Sequence, residues 1–169
     1  MDQPETIRIV IADTSVFISL MHAGHLGLLG NTPGYRFLIS DEVLAEIQDP
    51  AQNALVDSAI RDGLIAQTAV QTAEELATYA LLTSILGSGE SACLAVAESR
   101  GWYLECDERR VFLREARAPI GEDRLINTPG LYLLWIRSGM LTVAEADNAK
   151  VALENRRFKM KFGSLQELV

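Results

Sequence analysis

The sequence predicts an α/β protein: a central parallel sheet of four to five strands, covered on both faces by helices in three α/β/α layers. Short apolar, β-branched runs alternate along the chain with stretches of helical periodicity, the pattern of βα units. Most helical stretches carry their own start signal, a hydroxyl or acid residue at the cap position. Two strand-like runs end directly on an aspartate, Asp13 and Asp107. The carboxyl ends of parallel strands are where ligand sites of such sheets lie.

The elements follow in order. Ile7-Arg8-Ile9-Val10-Ile11-Ala12 reads as a buried strand. Asp13-Thr14-Ser15 starts a helix over residues 16–29, closed by Gly30-Asn31-Thr32-Pro33-Gly34. Residues 35–39 form a second strand. Ser40 caps a helix whose first turn carries Asp41 and Glu42, which suit the helix dipole. Pro50 opens a helix over 51–61, ended by Asp62-Gly63. A third strand is expected at 64–70 and a helix at 72–86, with Thr72 and Glu75 in capping-box spacing. Gly87-Ser88-Gly89 interrupts before a short, Ala-rich helix over 90–100. Residues 102–106 form the fourth strand. The next helix covers 108–116 and exits through Pro119-Ile120-Gly121. Residues 125–127 suit a short fifth strand, Pro129 starts a helix to 137, and Thr142 with Glu145 starts a last one to 155. Residues 158–169 show no single pattern.

A chain of 169 residues suits one domain, 1–169, with a core over about 7–139 and a C-terminal helical extension over 140–169. At 49% hydrophobic it can bury a sizeable core. Residues 1–5 are polar and acidic rather than a targeting segment, and the apolar runs at 7–12 and 131–136 are too short to span a bilayer. A soluble, cytoplasmic protein with no membrane partner is expected. The two cysteines, Cys93 and Cys106, lack a CxxC pattern or a histidine at zinc spacing, so both are expected to be buried free thiols. The net charge of -8 argues against a protein that coats nucleic acid electrostatically. It leaves room for local grip by metal-bound acids, because divalent ions reverse the local charge, or for help from a basic partner.

Four acids are placed to meet. Asp13 and Asp107 follow the first and fourth strands, Glu46 lies on the helix after the second, and Glu90 opens the helix after Gly87-Ser88-Gly89. They converge if strands one, two and four are neighbours. Carboxylates are hard oxygen ligands suited to Mg²⁺ or Mn²⁺. One or two such ions can bind a phosphodiester, activate water and stabilise the leaving oxygen, so no side-chain nucleophile is needed. The plain alternatives are caps for Asp13 and Asp107, a solvated helix residue for Glu46 and a dipole partner for Glu90.

These residues resemble the PIN-domain nuclease family. Ile9-Val10-Ile11-Ala12-Asp13-Thr14-Ser15 looks like its opening, and Ser40-Asp41-Glu42-Val43-Leu44-Ala45-Glu46 like its second motif. Gly87-Ser88-Gly89-Glu90-Ser91-Ala92 resembles the third and Leu104-Glu105-Cys106-Asp107 the fourth. Ile126-Asn127-Thr128-Pro129-Gly130-Leu131 looks like a turn of one PIN subgroup, and the likeness spans about residues 7–139. It implies an α/β/α PIN-like fold and an Mg²⁺- or Mn²⁺-dependent endoribonuclease. Asp13, Glu46, Glu90 and Asp107 would be its catalytic and metal-binding residues. Many members are toxins of toxin–antitoxin pairs and commonly dimerise, which implies an RNA substrate, an antitoxin protein and a homodimer. The alternative is a non-catalytic PIN-like module binding nucleic acid or protein. Glu108 stands where the family sometimes has an Asp, and the third acid is Glu where Asp also occurs. Thr14 or Ser15 would orient Asp13.

Other residues carry weaker signals. Arg109, Arg110, Arg114 and Arg117 form a basic cluster that reads first as a solvated helix face. Arg109 and Arg110, with Ser15, are the candidates for substrate contact. His22 and His25 are expected to be structural, since hard cations do not favour imidazole. The mixed basic and apolar run 156–161 suits an RNA contact, a partner contact or a surface tail. A haloacid-dehalogenase phosphatase would need a second Asp two residues after Asp13 and a Lys before the late acids. Ser15 stands at that position and no Lys precedes Lys150, which also argues against a receiver domain. No GxGxxG follows the first strand, so a dinucleotide enzyme is excluded.

Overall fold

The structure, a computed structural model, describes residues 6–107, 110–156 and 160–169. Its centre is β1 (Arg8–Ala12), which pairs in parallel with β2 (Tyr35–Ser40) on one side and β4 (Tyr103–Glu105) on the other. β3 (Ala66–Thr68) extends the sheet beyond β2, and β5 (Leu125–Ile126) beyond β4. The order is β3-β2-β1-β4-β5 with every pair parallel. The fold is a three-layer α/β/α arrangement of the PIN-like type, and strands one, two and four are neighbours as the convergence of the acids requires. Val10 lies opposite Phe37 and Ile11 opposite both Leu38 and Leu104, an unbroken apolar centre typical of a sheet covered on both faces.

The strand order reverses at β1: the chain goes outward to β2 and β3, then returns to β4 and β5 on the other side. The crevice at the carboxyl ends of β1 and β4 is therefore a switch point, where open α/β sheets place their ligands.

Helices fill the layers. α1 (Thr14–Ala23), α2 (Asp41–Glu46) and α3 (Pro50–Arg61) follow β1 and β2. α4 (Ala73–Leu82) and α5 (Ser88–Arg100) precede β4, and α6 (Arg110–Ile120) precedes β5. α7 (Thr128–Arg137) and α8 (Val143–Glu154) close the order. α5 packs on β1, β2 and β4, with α4, α2 and α6 against it. Its residues 89–97 are all buried, and its Gly89, Ser91, Ala92, Ala95 and Ala97 let neighbouring backbones approach closely. α1 packs with α8, and α8 with α7. Trp135, Tyr132, Phe17, Phe37 and Phe112 are the largest fully buried side chains.

Several boundaries differ from expectation: the third strand, expected over 64–70, is Ala66–Thr68, and the helix expected over 72–86 ends at Leu82. The helix expected over 16–29 stops at Ala23, because Gly24 takes the left-handed conformation (φ 73°) and turns the chain. A 3-10 turn, Leu26–Asn31, replaces the rest. Helix α6 runs through Pro119 to Ile120, where the sequence placed its exit. Ile120 is buried, and the Gly121 amide still bonds the Arg117 carbonyl at 3.0 Å, which closes the last turn. The C-terminal stretch without a single pattern contains another 3-10 turn, Leu165–Leu168, anchored by Leu165 and by Asp147, which accepts from the Ser164 hydroxyl and the Leu165 amide. Among the described residues no helix is long and apolar enough to cross a membrane. Both cysteines are buried and free, as expected.

Candidate active site

Asp13 sits at the crevice, its amide bonded to the Glu105 carbonyl of β4 at 3.1 Å. It occupies the cap position of α1, yet its carboxylate makes no capping bond. A cap role therefore does not explain it. Only 5% of Asp13 is exposed. Ser15 Oγ donates to its Oδ2 at 2.8 Å. Burial raises the Asp13 carboxyl above its ordinary value, the Ser15 hydroxyl and Thr14 amide pull it back, and the charges of Glu90 and Glu46 push it further up.

Glu46 reaches the same place as the last residue of α2, the helix that Ser40 caps at the end of β2. Its Oε1 accepts the Gly89 amide at 2.7 Å, and its Oε2 accepts the Thr14 hydroxyl. A Cβ at position 89 would stand 2.7 Å from Oε2 and 3.0 Å from Oε1, so only glycine lets the carboxylate approach this helix start. Glu90 is the next residue, 5% exposed, and its Oε2 accepts the Gly87 amide at 3.2 Å. Its place in the first turn of α5 suits the helix dipole.

Asp107 approaches from across the crevice. Thr128 holds both its oxygens: the amide donates to Oδ1 at 3.0 Å and the hydroxyl to Oδ2 at 2.9 Å. That clamp joins the end of β4 to the first residue of α7.

The buried thiols report how these acids are grouped. Burial raises the Cys93 thiol, and the charges of Asp13, Glu46 and Glu42 add to it. Cys106 is pushed up to about 12, first by burial, then by Asp13, Asp107, Glu105 and Glu90. Asp13 is common to both fields. As the side chains stand, no three His, Cys, Asp or Glu groups among the described residues gather closely enough to hold one ion. The donor set nevertheless fits a hard divalent cation. It is all oxygen, and the convergence of Asp13 with Glu46 and Glu90 is a repulsion that a cation would relieve.

Several site residues were not singled out by the sequence. Thr128 and Gly89 hold Asp107 and Glu46; their only signal is a hydroxyl after a short strand and a second glycine before an acid. Glu105 is fully buried on β4, neither carboxyl oxygen hydrogen-bonded among the described residues, and burial raises it well above the usual range, with Asp107 adding to the effect. A glutamate in a strand beside an aspartate gave no hint of that burial. Ser15, a candidate for substrate contact, is found bonded to Asp13. Arg110 is exposed on α6, while Arg109 and Glu108 lie outside the described residues. His25 bonds the Tyr132 hydroxyl through Nδ1 at 2.8 Å, and His22 lies 3.4 Å from an Arg156 nitrogen; neither joins the acids.

Comparison with known proteins adds three findings. A sequence-family model described as a PIN domain matches residues 9–113, more than half of the chain. No curated protein matches the chain in sequence. Among solved structures, a chain of VapBC2 from Rickettsia felis, crystallised bound to a DNA fragment from its promoter, is similar with a TM-score of 0.50. The identity is 15%, over 70% of this chain and 98% of that one, a likeness of fold.

Proposed function

The chain belongs to the PIN-domain family, and from that premise we propose that it is a divalent-metal-dependent endoribonuclease with Asp13, Glu46, Glu90 and Asp107 as its metal ligands. The observation that carries this reading is Asp13: buried at the switch-point crevice, not spent on capping its helix, and within the field of Glu46 and Glu90. Mg²⁺ or Mn²⁺ bound there would offset the charge of a phosphodiester, make water nucleophilic at neutral pH and stabilise the departing oxygen.

The chain's own residues do the positioning. Ser15 fixes the Asp13 carboxylate, the Gly89 amide and Thr14 hydroxyl fix Glu46, and Thr128 fixes Asp107. Such outer contacts orient ligands and tune their affinity for metal. A carboxylate that already accepts one or two hydrogen bonds keeps further lone pairs for a cation.

The biological reading is a toxin of a toxin–antitoxin pair, acting in the cytoplasm as a homodimer and restrained by an antitoxin protein. The fold it shares with a chain of VapBC2, a two-component assembly crystallised on its promoter DNA, supports a protein partner of that kind. Free buried thiols suit a reducing compartment.

The test is cleavage of a panel of structured and single-stranded RNAs with Mn²⁺ or Mg²⁺, beside EDTA and the Asp13→Asn/Asp107→Asn protein. Cleavage that needs metal and is lost in the double variant is expected. No cleavage of any RNA together with no divalent-metal binding by calorimetry would leave the non-catalytic binding module instead.

A further inference from the structure

Helix α6 is sharply two-sided. Phe112, Ala116 and Ile120 face the core, while Arg110, Arg114 and Arg117 lie on the outer face at spacings of four and three, one row along the helix. By helix rise the row runs for about 10 Å. These three arginines with Leu113 line a groove of about 220 Å³. Leu113 and Arg117 also line the adjoining groove of about 170 Å³, whose far wall holds Cys106 and Asn127. Those two residues flank Asp107 and Thr128. The two grooves share Leu113 and Arg117, so a furrow runs from the three arginines of α6 to the carboxyl end of β4; its basic part is the α6 end, since the inner groove is also lined by Glu122, the partner of Arg117, in a chain whose net charge is -8.

The arginines are available for an anion. Arg114 pairs with Glu115 at 3.0 Å and Arg117 with Glu122 at 2.9 Å, but Arg114 is 70% exposed and Arg117 57%. Ion pairs between exposed groups contribute little, whereas guanidinium meets phosphate with two parallel bonds. A protein carboxylate would offer the same fork but no repeat of charge along the row. A nucleic-acid backbone supplies one phosphate after another, and the apolar Leu113 at the furrow's floor can meet sugar or base.

We propose that the α6 furrow binds the phosphates of a single-stranded RNA and leads that strand to the Asp107 side of the acidic site. This deepens the nuclease reading and rests on it for the chemistry, not for the binding. The arginine row spans only about 10 Å and the grooves hold about 220 and 170 Å³, room for one strand rather than a duplex.

The experiment is fluorescence anisotropy of a labelled single-stranded RNA with the full chain in EDTA, where binding is read without cleavage. The Arg110→Gln/Arg114→Gln/Arg117→Gln protein is compared with the parent and with Arg61→Gln, an exposed arginine on α3. The triple variant is expected to bind about tenfold more weakly, with its log–log salt slope lower by about 2, since each phosphate left without its arginine removes roughly 0.7 from the slope. Arg61→Gln should match the parent, and a duplex of the same sequence should bind more weakly than the single strand. In the cleavage assay the triple variant should raise KM and keep kcat. Unchanged affinity and slope in the triple variant, no binding by the parent, or equal binding of the duplex would each overturn the proposal. Arginine-dependent binding by a parent that neither cleaves RNA nor binds divalent metal would support the furrow while removing the nuclease reading.

Discussion

Glu75→Gln is expected to destabilise the protein strongly at neutral pH and hardly at all in acid. Glu75 is fully buried on α4, and Arg100 at the end of α5 grips it through Nε at 2.6 Å and through a second nitrogen at 3.1 Å. Arg100 also bonds the Thr68 hydroxyl and the Ala69 carbonyl, both at 2.9 Å, and lies 4.8 Å from the Trp102 ring centre. One guanidinium thus ties α4, α5 and the end of β3. The clamp lowers Glu75 from 4.5 to about 2, chiefly through the Arg100 bond, with the Gln71 and Thr72 amides assisting. At about 1.4 kcal/mol per unit, the depression is worth at most about 3.5 kcal/mol, and solvent reaching Arg100, 22% exposed at its side chain, brings it nearer 2. Glutamine keeps one oxygen for the capping amides but sets an amide nitrogen, a donor, against the Arg100 Nε, so the substitution removes the charge together with one acceptor. The folded-state value is depressed, so the stability is complete above about 4.5 and is lost as pH falls towards 2. By that relation about a quarter is gone at pH 4 and more than half at pH 3. Urea unfolding of parent and variant across this range reads the difference directly. A difference that stays constant from pH 7 to pH 3, or one below about 0.5 kcal/mol at pH 7, would refute the reasoning.

Three further outcomes follow from the site. Gly89→Ala should push the Glu46 carboxylate away and cut kcat/KM at least tenfold while the thermal midpoint moves only slightly, since the added methyl meets a flexible side chain rather than backbone. Thr128→Val should leave Asp107 its amide bond but remove the hydroxyl bond; metal affinity is expected to fall about 10- to 100-fold by calorimetry, with Thr128→Ser restoring it. Glu105→Gln should stabilise the chain by about 1 kcal/mol or more at pH 8 and by little at pH 4.5. Burial raises Glu105, so the folded chain holds this proton to higher pH than the unfolded chain does and loses stability as pH rises above the ordinary carboxyl range, which the neutral glutamine avoids. Equal thermal shifts at both pH values would contradict that assignment.

What could be read from the sequence was local in origin. β1 announces itself by four β-branched or apolar neighbours, and Ser40, Thr72 and Thr142 all cap the helices that their spacing indicates. The placing of Asp13 and Asp107 at one edge of the sheet was legible: Asp13 follows β1 directly, Asp107 lies two residues past β4, and the sheet order brings those two strands together. What could not be read depends on distant partners. The Arg100–Glu75 clamp joins residues 25 apart. Thr128 finds Asp107 only after β5 has joined β4. Gly24 is one glycine among several in residues 24–34, and nothing local marks it as the one that ends α1. Pro119 looked like a stop, but a proline near the last turn forfeits few helix bonds, and the buried Ile120 carries the helix one residue further.

The measurement that bears most directly on the central claim is an anomalous difference map from crystals grown with Mn²⁺. Density is expected at the carboxyl ends of β1 and β4, within about 2.2 Å of oxygens from Asp13 and at least one of Glu46, Glu90 and Asp107. Crystals with no such density at saturating Mn²⁺, or with the ion bound elsewhere, would contradict the assignment of these four acids as the metal centre.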